Sequence, residues 1–483
     1  MNLNDKYQAV IGLEVHAQLL TKSKLFCGDS AAYNTEPNIH ISPFTLAHPG
    51  TLPVMNASVI EYAVKLGLAL ECHIEQHNYF ARKNYFYPDL PKGYQVSQHT
   101  TPICKHGAVK ITVAGYERNI RLNRIHIEED AGKSLHDVDE NYTAIDLNRA
   151  GVPLLEIVSE PDMHSSEEAF AYVSELRKLV TWLEICDGNM EEGSMRCDAN
   201  ISIRLKGETM LGTRVEIKNL NSIRNVKRAI DVEIERLMSL AEKGEAIIQE
   251  TRSYDADKNI TFSLRSKEDA DDYRYFPEPD LTPFMISDEQ LANIRNKLPQ
   301  LPNALKKKFV SELGLSDYDA AVLCDDKEQA AYFEEVIRHT GNYKAAANWL
   351  LGPVKNYLNE HAINYAGFNL PAGKLADLIA LVEEGKLNFG VASGRVFAAL
   401  LEHQDQDPLA IATSLNLVQE TNSNAVEQWV DEVIRSMPDK VKEFRGGKKG
   451  LIGLFAGQVK KLSKNKADMQ LVNSLLEKKL NDQ

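Results

Sequence analysis

Four segments of the chain alternate between apolar residues and residues that carry carboxylates, amides or cations. They are GLEVHAQL at 12–19, RIHIE at 124–128, RCDANISIR at 196–204 and TRVEIK at 213–218. Successive side chains of a β-strand point to opposite sides, so each segment predicts a strand with one apolar face. Four such strands predict an antiparallel sheet that is covered by the core on one side only.

The polar side of this sheet has an unusual composition. Acids and asparagine are poor strand formers, yet they recur at central strand positions beside histidine, arginine and lysine. Clustered carboxylates repel one another unless a cation lies among them, and oxygen ligands with few thiols favour Mg²⁺. The residues alone leave two interpretations open, a metal-dependent site or an ordinary solvent-facing surface. The polar positions include Glu14, His16, Arg124, His126, Glu128, Arg196, Asp198, Asn200, Glu216 and Lys218.

The chain of 483 residues is long enough for roughly three domains. Residues 1–293 are β-rich with interspersed helices, residues 294–405 carry successive helical patterns, and residues 406–483 form a helical tail. The predicted fold class is therefore α+β. We expect no transmembrane helix, because no apolar run approaches 18 residues, and we expect a cytoplasmic protein, because the N-terminus lacks a signal pattern.

The charge of the chain is unevenly distributed. The net charge is −14, but residues 438–483 hold eleven Lys and Arg against five Asp and Glu, a local +6 that leaves −20 elsewhere. An acidic body argues against a generally basic nucleic-acid binder. The basic tail fits either contact with one anionic partner or plain solvated surface.

Familiar catalytic motifs are absent from the sequence. It contains no G-x-x-x-x-G-K, no G-x-G-x-x-G after a strand, no H-E-x-x-H and no G-x-S-x-G. Any nucleotide must therefore be held by a less common arrangement, and a serine hydrolase is not supported. The six cysteines form no C-x-x-C pair, which favours free thiols over disulfides or a structural metal.

Several long motifs resemble the B-subunit family of the aspartyl/glutamyl-tRNA(Asn/Gln) amidotransferases. The resemblance covers almost the whole chain, and its basic tail resembles the helical terminal domain of that family. The motifs are VIGLEVHAQL (10–19), PGTLPVMN (49–56), RKNYFYPDLPKGYQVSQ (82–98), HIEEDAGKS (126–134), DLNRAGVPLLEIVSEPD (146–162), MEEGSMRCDANISIR (190–204), EIKNLNS (216–222), QETRSYD (249–255), DDYRYFPEPDL (271–281) and GLIGLFAGQVKKLSKNKADMQLVNSLL (450–476).

The resemblance implies a β-rich "cradle" domain, an all-α helical domain and a tail domain that contacts tRNA. It implies a ligase (glutamine-hydrolysing glutaminyl-tRNA or asparaginyl-tRNA synthase) in a heterotrimer, whose other members are an amidase (the A subunit) and the small C subunit. In this reaction ATP and Mg²⁺ phosphorylate the side-chain carboxylate of Glu-tRNA(Gln) or Asp-tRNA(Asn). Ammonia from the amidase then displaces phosphate and leaves Gln-tRNA(Gln) or Asn-tRNA(Asn). Which of the two tRNAs is the substrate is not encoded in these motifs.

The resemblance also assigns roles to individual residues. Candidate metal ligands, direct or through water, are Glu14, His16, Glu128, Glu191 and Glu216, and candidate phosphate or substrate contacts are Arg196, Asn200 and Lys218. Candidate catalytic residues are Glu128, Glu129 and Lys83; the last two are expected to face the ammonia route, where a carboxylate can accept a proton from ammonium. The expected tRNA contacts are Lys448, Lys449, Lys460, Lys461 and Lys464 in the basic tail.

Two other functions compete with this interpretation. The chain could be a non-catalytic scaffold that presents tRNA to an active partner, although a scaffold has no need for clustered carboxylates. It could also be a stand-alone Mg²⁺/ATP ligase acting on a small acid, although the basic tail argues against that. ATP cleavage that requires both mischarged tRNA and the amidase would separate the amidotransferase from both alternatives.

We predict that the protein binds no zinc. Some members of the family carry a four-cysteine zinc site near the N-terminus, but here only Cys27 is present, and Asp29, Ser42 and Thr45 occupy the other positions. Thiolates are the usual ligands of structural zinc, so this set is too poor in sulfur to hold it. Elemental analysis of the purified protein should find zinc well below one equivalent, and stoichiometric zinc would contradict the prediction.

Overall fold

The computed structural model describes residues 3–33, 36–136, 138–266, 273–419, 423–463 and 466–481. The chain divides into two compact units, residues 1–301 and 302–483. The first unit extends beyond the predicted boundary at residue 293. Its last helix, Asp288–Asn296, contacts the helix Ala57–Ala69, and Leu298 and Leu301 pack against the core of the first unit.

A large mixed sheet dominates the first unit, and the α+β prediction is confirmed. The strands of this unit are β1 Tyr7–Gln18, β2 His73–Ile74, β3 His77–Asn78, β4 Ala81–Asn84, β5 Tyr94–Ser97, β6 Cys104–Lys105, β7 Ala108–Val113, β8 Tyr116–Glu129, β9 Lys133–Leu135, β10 Ala144–Asp146, β11 Pro153–Ser159, β12 Met195–Leu205, β13 Val215–Leu220, β14 Glu250–Asp255, β15 Ile260–Ser266, β16 Phe276–Pro277 and β17 Phe284–Met285. The order of the main strands of the large sheet is β15-β14-β13-β12-β1-β11-β8-β5-β4-β16, whereas β9 with β10 and β17 with β3 form two separate two-stranded sheets.

The helices of this unit include two long ones that contact strands of the sheet. They are α1 Leu3–Lys6, α2 Ala57–Ala69, α3 Ser166–Trp182, α4 Ile223–Lys243 and α5 Asp288–Asn296. Ser165 and Ser222 cap the N-termini of α3 and α4, where each hydroxyl accepts a hydrogen bond from a backbone N–H of the first turn. Helix α4 contacts strands β12, β13 and β15, and α3 contacts α4 and β1.

The predicted alternation holds in the central strand. Leu13, Val15 and Ala17 are fully buried in the core, whereas Glu14 and His16 point to the opposite, half-open face. Strand β1 pairs antiparallel with both β11 and β12, as expected. The sheet also contains a parallel pair, β13 and β14. Helix α4 connects these two strands as a crossover, which is the connection that a parallel pair requires.

The second unit is helical. Its helices are α6 Pro302–Ser311, α7 Asp317–Leu323, α8 Lys327–Val336, α9 Tyr343–Trp349, α10 Lys355–Glu360, α11 Ala372–Glu383, α12 Phe389–Val391, α13 Phe397–Glu402, α14 Pro408–Ser414, α15 Ser423–Ser436, α16 Pro438–Arg445, α17 Ile452–Leu462 and α18 Met469–Asn481. Short π-helical segments follow α9 and α12, and short 3₁₀ segments include Tyr365–Gly367 and Lys449–Leu451. Among the described residues, no helix is both long and apolar enough to cross a bilayer.

The tail has a hydrophobic core of its own. Val426 and Val430 of α15 pack with Phe455 of α17 and with Val472 and Leu476 of α18. Helix α14, which follows the predicted boundary at residue 406, contacts α11 and α13 instead. The separately packed tail therefore begins after α14.

We expect the close contact between α2 and β6 to make Gly67→Ala destabilising. A Cβ atom at Gly67 would lie 2.4 Å from Cys104 Sγ and 2.6 Å from Ile74 Cδ1, so the substitution should lower the free energy of unfolding by about 1–3 kcal/mol. Gly457, inside α17, has open space around it, and Gly457→Ala should stabilise its helix by up to about 1 kcal/mol. Hydrogen exchange of α2 and α17 would measure both effects. A neutral Gly67→Ala would contradict the tight packing.

Candidate active site

The half-open face of the sheet forms the wall of a cavity of about 660 Å³. Six predicted residues line it, and their side chains come from strands β1, β4, β8, β12 and β13. The predicted polar face is thus gathered into one concave site. These residues are Glu14, His16, Lys83, Glu128, Arg196 and Lys218.

One cluster in this cavity joins two carboxylates and two imidazoles. His16 Nε2 lies 3.6 Å from Glu128 Oε1 and 3.5 Å from Glu156 Oε2. His126 Nε2 lies 3.5 Å from the other Glu128 oxygen and 3.3 Å from Glu156 Oε2. Cross-strand register explains the arrangement, because Glu156 of β11 is opposite His16 of β1 and also opposite His126 of β8. His16, Glu128 and Glu156 offer ligand atoms within 4.8 Å of one another, a set that a metal ion could use.

The charges of this cluster are mutually compensating. Burial disfavours the imidazolium form of His126, but Glu156 and Glu128 outweigh it and raise the pKa of His126 to about 9. The pKa of His16 is raised in the same way against the effect of its burial. Burial by itself would raise the pKa of Glu156, but the two histidines hold it well below its usual range. Without a metal, the two carboxylates therefore favour the protonated forms of both histidines.

A second cluster consists of Glu14, Asp198 and Glu216, whose carboxylate oxygens also come within 4.8 Å of one another. Lys218 Nζ lies 3.2 Å from Asp198 and 3.0 Å from Glu216. Burial, together with the nearby Glu156 carboxylate, raises the pKa of Glu14. A divalent cation among these three converging carboxylates would relieve their mutual repulsion.

Asn200 supports this second cluster. Its Nδ2 donates a hydrogen bond of 2.9 Å to Glu14 Oε1. Its buried Oδ1 has no hydrogen-bond partner among the described residues, and an unpaired buried acceptor is unfavourable. Carboxylate and amide oxygens are the ligands that Mg²⁺ prefers, so the donor set fits Mg²⁺.

Aromatic side chains line the part of the cavity around Lys83. The ammonium of Lys83 lies 4.8 Å from the centre of the Tyr273 ring, and His99 stacks on Tyr275 at a centroid distance of 4.1 Å. Burial opposes the charged form of Lys83, but the carboxylate of Glu128 raises its pKa. Lys83 is therefore a cation near neutral pH and cannot act there as a base.

Glu129 does not line the main cavity. It borders a separate small cavity, where it accepts hydrogen bonds from Lys92 Nζ and, at 2.9 Å, from the Val96 backbone N–H. Alternation along β8 explains the difference, because Glu128 and Glu129 must point to opposite faces of the strand.

Glu191 also lies apart from the main cavity. It is exposed on the loop before β12 and lines a different cavity of about 550 Å³ with Arg177, Asp187 and Ser222. Glu191 belongs to neither acidic cluster, so the structure does not bring it to the other predicted ligands.

Four contributors to the site are not among the predicted functional residues. His126 and Asp198 lie on the polar strand faces that alternation predicts, but the motifs assign no role to them. Glu156 is the single acid in the apolar strand PLLEIVS, and a lone acid in such a run is a signal for a special position. Asp130 follows β8 directly and gives no separate signal, because three consecutive acids are typical of a polar turn.

The four positions that correspond to the family's zinc site lie close together. Thr45 Oγ1 donates a hydrogen bond of 2.5 Å to Asp29, and it lies 3.7 Å from Cys27 Sγ. The hydroxyl of Ser42 accepts a hydrogen bond from the Thr45 backbone N–H. The hydrogen bond from Thr45 thus joins the segment that carries Cys27 and Asp29 to the segment that carries Ser42 and Thr45. The absence of zinc stays a prediction.

The predicted tRNA-contacting lysines lie in the tail. Lys448 forms an ion pair with Glu443, while Lys449 donates to Asn481 and lies over the Phe444 ring. Lys460 and Lys461, near the end of α17, are exposed. Lys464 lies outside the described residues.

Comparison with known proteins identifies the family. A model described as "GatB/GatE catalytic domain" matches residues 9–292, and one described as "GatB domain" matches residues 331–480. Proteins named as the B subunit of aspartyl/glutamyl-tRNA(Asn/Gln) amidotransferase are similar from end to end. Those of Solidesulfovibrio magneticus (49% identity over 475 residues), Pelodictyon phaeoclathratiforme (50% over 475) and Geobacter sulfurreducens (49% over 477) each cover 98% of this chain and 99% of their own length. The chain therefore belongs to the B-subunit family of the aspartyl/glutamyl-tRNA(Asn/Gln) amidotransferases.

Proposed function

We propose that this chain is the kinase-like subunit of a tRNA-dependent amidotransferase. It uses ATP and Mg²⁺ to phosphorylate the side-chain carboxylate of Glu-tRNA(Gln), Asp-tRNA(Asn) or both, and ammonia then converts the product to the amide. One observation carries the proposal: two acidic clusters contribute side chains to one cavity, which Lys83, Arg196 and Lys218 also line.

The chemistry accounts for these residue types. A carboxylate is a poor acyl donor, so its oxygen first takes the γ-phosphoryl group of ATP and ADP leaves. Ammonia then attacks the carbonyl carbon, a C–N bond forms, and the C–O bond breaks with inorganic phosphate as the leaving group. Enzymes accelerate phosphoryl transfer mainly by positioning the reactants and neutralising charge. The site needs acids for a metal and cations for phosphate, and this cavity supplies both.

The two clusters would hold Mg²⁺. His16, Glu128 and Glu156 would form one ligand set, and Glu14, Asp198 and Glu216 the other, with Asn200 beside the second. Bound Mg²⁺ would neutralise phosphate charge in the transition state. Metal at the first set would displace the extra proton of His16, because imidazole binds metal only in its neutral form.

The cations of the site have separate tasks in this proposal. Lys218 forms ion pairs with both Asp198 and Glu216, and its ammonium is placed to meet a phosphate that approaches the second cluster. Arg196 presents a planar guanidinium to the cavity, a geometry that matches two phosphate oxygens. Lys83 acts as a fixed positive charge beside Glu128.

The partners and the compartment belong to the same proposal. The amidase (A subunit) would release ammonia, the small C subunit would complete a heterotrimeric ligase, and the complex would work in the cytoplasm. Glu129 lies on the far side of β8 from the clusters. If Glu129 accepts a proton from ammonium, the ammonia route would reach the smaller cavity, which Lys92 also lines.

The two alternative functions are less well supported. A scaffold gains nothing from three carboxylates within 4.8 Å of one another, which are unfavourable without a cation. A stand-alone ligase for a small acid has no use for a separately packed basic tail, and the end-to-end similarity to the B-subunit proteins also favours the amidotransferase.

We expect Glu14→Gln and Glu216→Gln to abolish activation of the substrate. Each change removes one charge from the second cluster at nearly constant shape, so ATP cleavage that depends on mischarged tRNA should fall by more than about 100-fold. The glutaminase activity of the partner should be unchanged. Both activities can be measured on the reconstituted complex.

Glu235→Gln is a matched control, because Glu235 is an exposed glutamate on α4 of the same unit. It should behave as wild type in both assays. Wild-type transamidation by Glu14→Gln and Glu216→Gln would refute the assignment of the second cluster.

We expect the tail lysines to supply salt-dependent affinity for tRNA. Each phosphate contact contributes about 0.7–0.9 to the slope of log K against log salt, so Lys460→Gln with Lys461→Gln should flatten the slope by about 1.4–1.8. Exposed Lys344 and Lys355, changed together to Gln, remove the same charge elsewhere in the unit and should leave the slope unaltered. Filter binding at several salt concentrations would measure both pairs, and equal slopes would exclude the proposed contacts.

A further inference from the structure

We infer that Asp130 is a positioning residue for the arginines of the cavity, an inference that rests on the proposed function. Its side chain is buried, and three other side chains lie close to its Oδ2. Arg196 Nη2 donates to it at 2.8 Å, Gln18 Nε2 donates at 2.9 Å, and Arg149 Nε lies 3.6 Å away. Both arginines line the main cavity, so one carboxylate orients two guanidinium groups that face it.

The carboxylate itself is fixed by the backbone around it. Its Oδ1 accepts a hydrogen bond of 3.0 Å from the Ala131 N–H. The Asp130 N–H donates to Val152 O at 2.8 Å, and the Gly151 N–H donates to Asp130 O at 2.9 Å. Arg196 and Arg149 place two cations beside this carboxylate. A charged and rigid acceptor is what holds a flexible arginine in one orientation.

The two arginines depend on Asp130 to different degrees. Arg149 has anchors of its own, because its Nε donates to Ala131 O at 3.0 Å and its Nη2 donates to Gly132 O at 2.6 Å. The guanidinium of Arg196 is held chiefly by Asp130, and its buried Nε has no hydrogen-bond partner among the described residues. Loss of the Asp130 charge should therefore disturb Arg196 much more than Arg149.

This arrangement explains how Arg196 stays available to bind phosphate instead of pairing with the acidic clusters. An arginine free to rotate in this cavity would pair with Glu128 or Asp198 and neutralise a metal ligand. Held by Asp130, it keeps donors directed at the cavity, where the anion it would meet is the γ-phosphate of ATP or a phosphate of the tRNA acceptor end. Gln18, the last residue of β1, completes the support by donating to the same oxygen.

The test compares Asp130→Asn with Asp162→Asn in the reconstituted complex. Asp162 holds Arg121 in a similar way, at 2.9 and 2.7 Å, but the pair is outside the cavity. We expect Asp130→Asn to lower kcat/KM for ATP or for mischarged tRNA on the order of 10- to 100-fold, since small displacements of positioned groups have effects of this size. The substrate whose KM changes identifies the phosphate. Asp162→Asn should behave as wild type.

A double-mutant cycle separates positioning from a purely structural role. If Asp130 acts through Arg196, Asp130→Asn should add less than a two-fold loss to Arg196→Lys, whereas independent roles would multiply the two losses. The inference is overturned if the losses of Asp130→Asn and Arg196→Lys multiply in the double variant, or if Asp130→Asn has wild-type kinetics. The proposed function stands in either case. A wild-type complex that does not cleave ATP with mischarged tRNA overturns the proposed function and this inference with it.

Discussion

Repulsion between carboxylates on one face of a sheet is the constraint on which the rest of this structure depends. Glu14, Glu128, Glu156, Asp198 and Glu216 converge on strands that pair with one another. Buried like charges are unfavourable unless cations or protons lie among them. In this protein the compensation comes from two histidines and from Lys218, while Arg196 and Arg149 pair with the buried carboxylate of Asp130. Each of these partners is also suited to a metal-dependent phosphoryl transfer, so the same groups serve stability and chemistry.

The two faces of the sheet serve stability and chemistry separately. The apolar side chains of β1 lie in the core, while its polar side chains face the cavity. A slip of one residue would exchange the faces, and the large buried core therefore fixes the register of the site residues. Helices α3 and α4 are needed for this reason, since they help to enclose the apolar side and leave the other face to a ligand.

The tail differs from the sheet in how its charged side chains are arranged. Its own core lets it fold around helices α15, α17 and α18, and its lysines stand at the surface. Contacts of lysine with phosphate need charge rather than precise geometry. A basic tail can therefore supply affinity for a long polyanion, while the cavity holds its side chains in the defined positions that a reaction requires.

The sequence by itself determined the polar face of the sheet and most of the residues on it. Period-two alternation identified Glu14, His16, Glu128 and Glu216, because side-chain direction along a strand is a local property. The α+β class and the helical second part followed from the same kind of local pattern. The long motifs determined the family, which the end-to-end similarity to the B-subunit proteins confirmed.

Only the tertiary structure decided which of these residues meet. Strand order and register brought Glu156 and His126 to His16, although they are distant in sequence and no local pattern pairs them. The fold also left Glu191 on a separate loop, and it placed Glu129, which alternation along β8 already turns away from Glu128, at a separate small cavity. Asp130 likewise contacts three side chains that come from other segments of the chain, those of Gln18, Arg149 and Arg196. The physical reason is common to all of them: a strand fixes the direction of a side chain, but its neighbours come from long-range pairing.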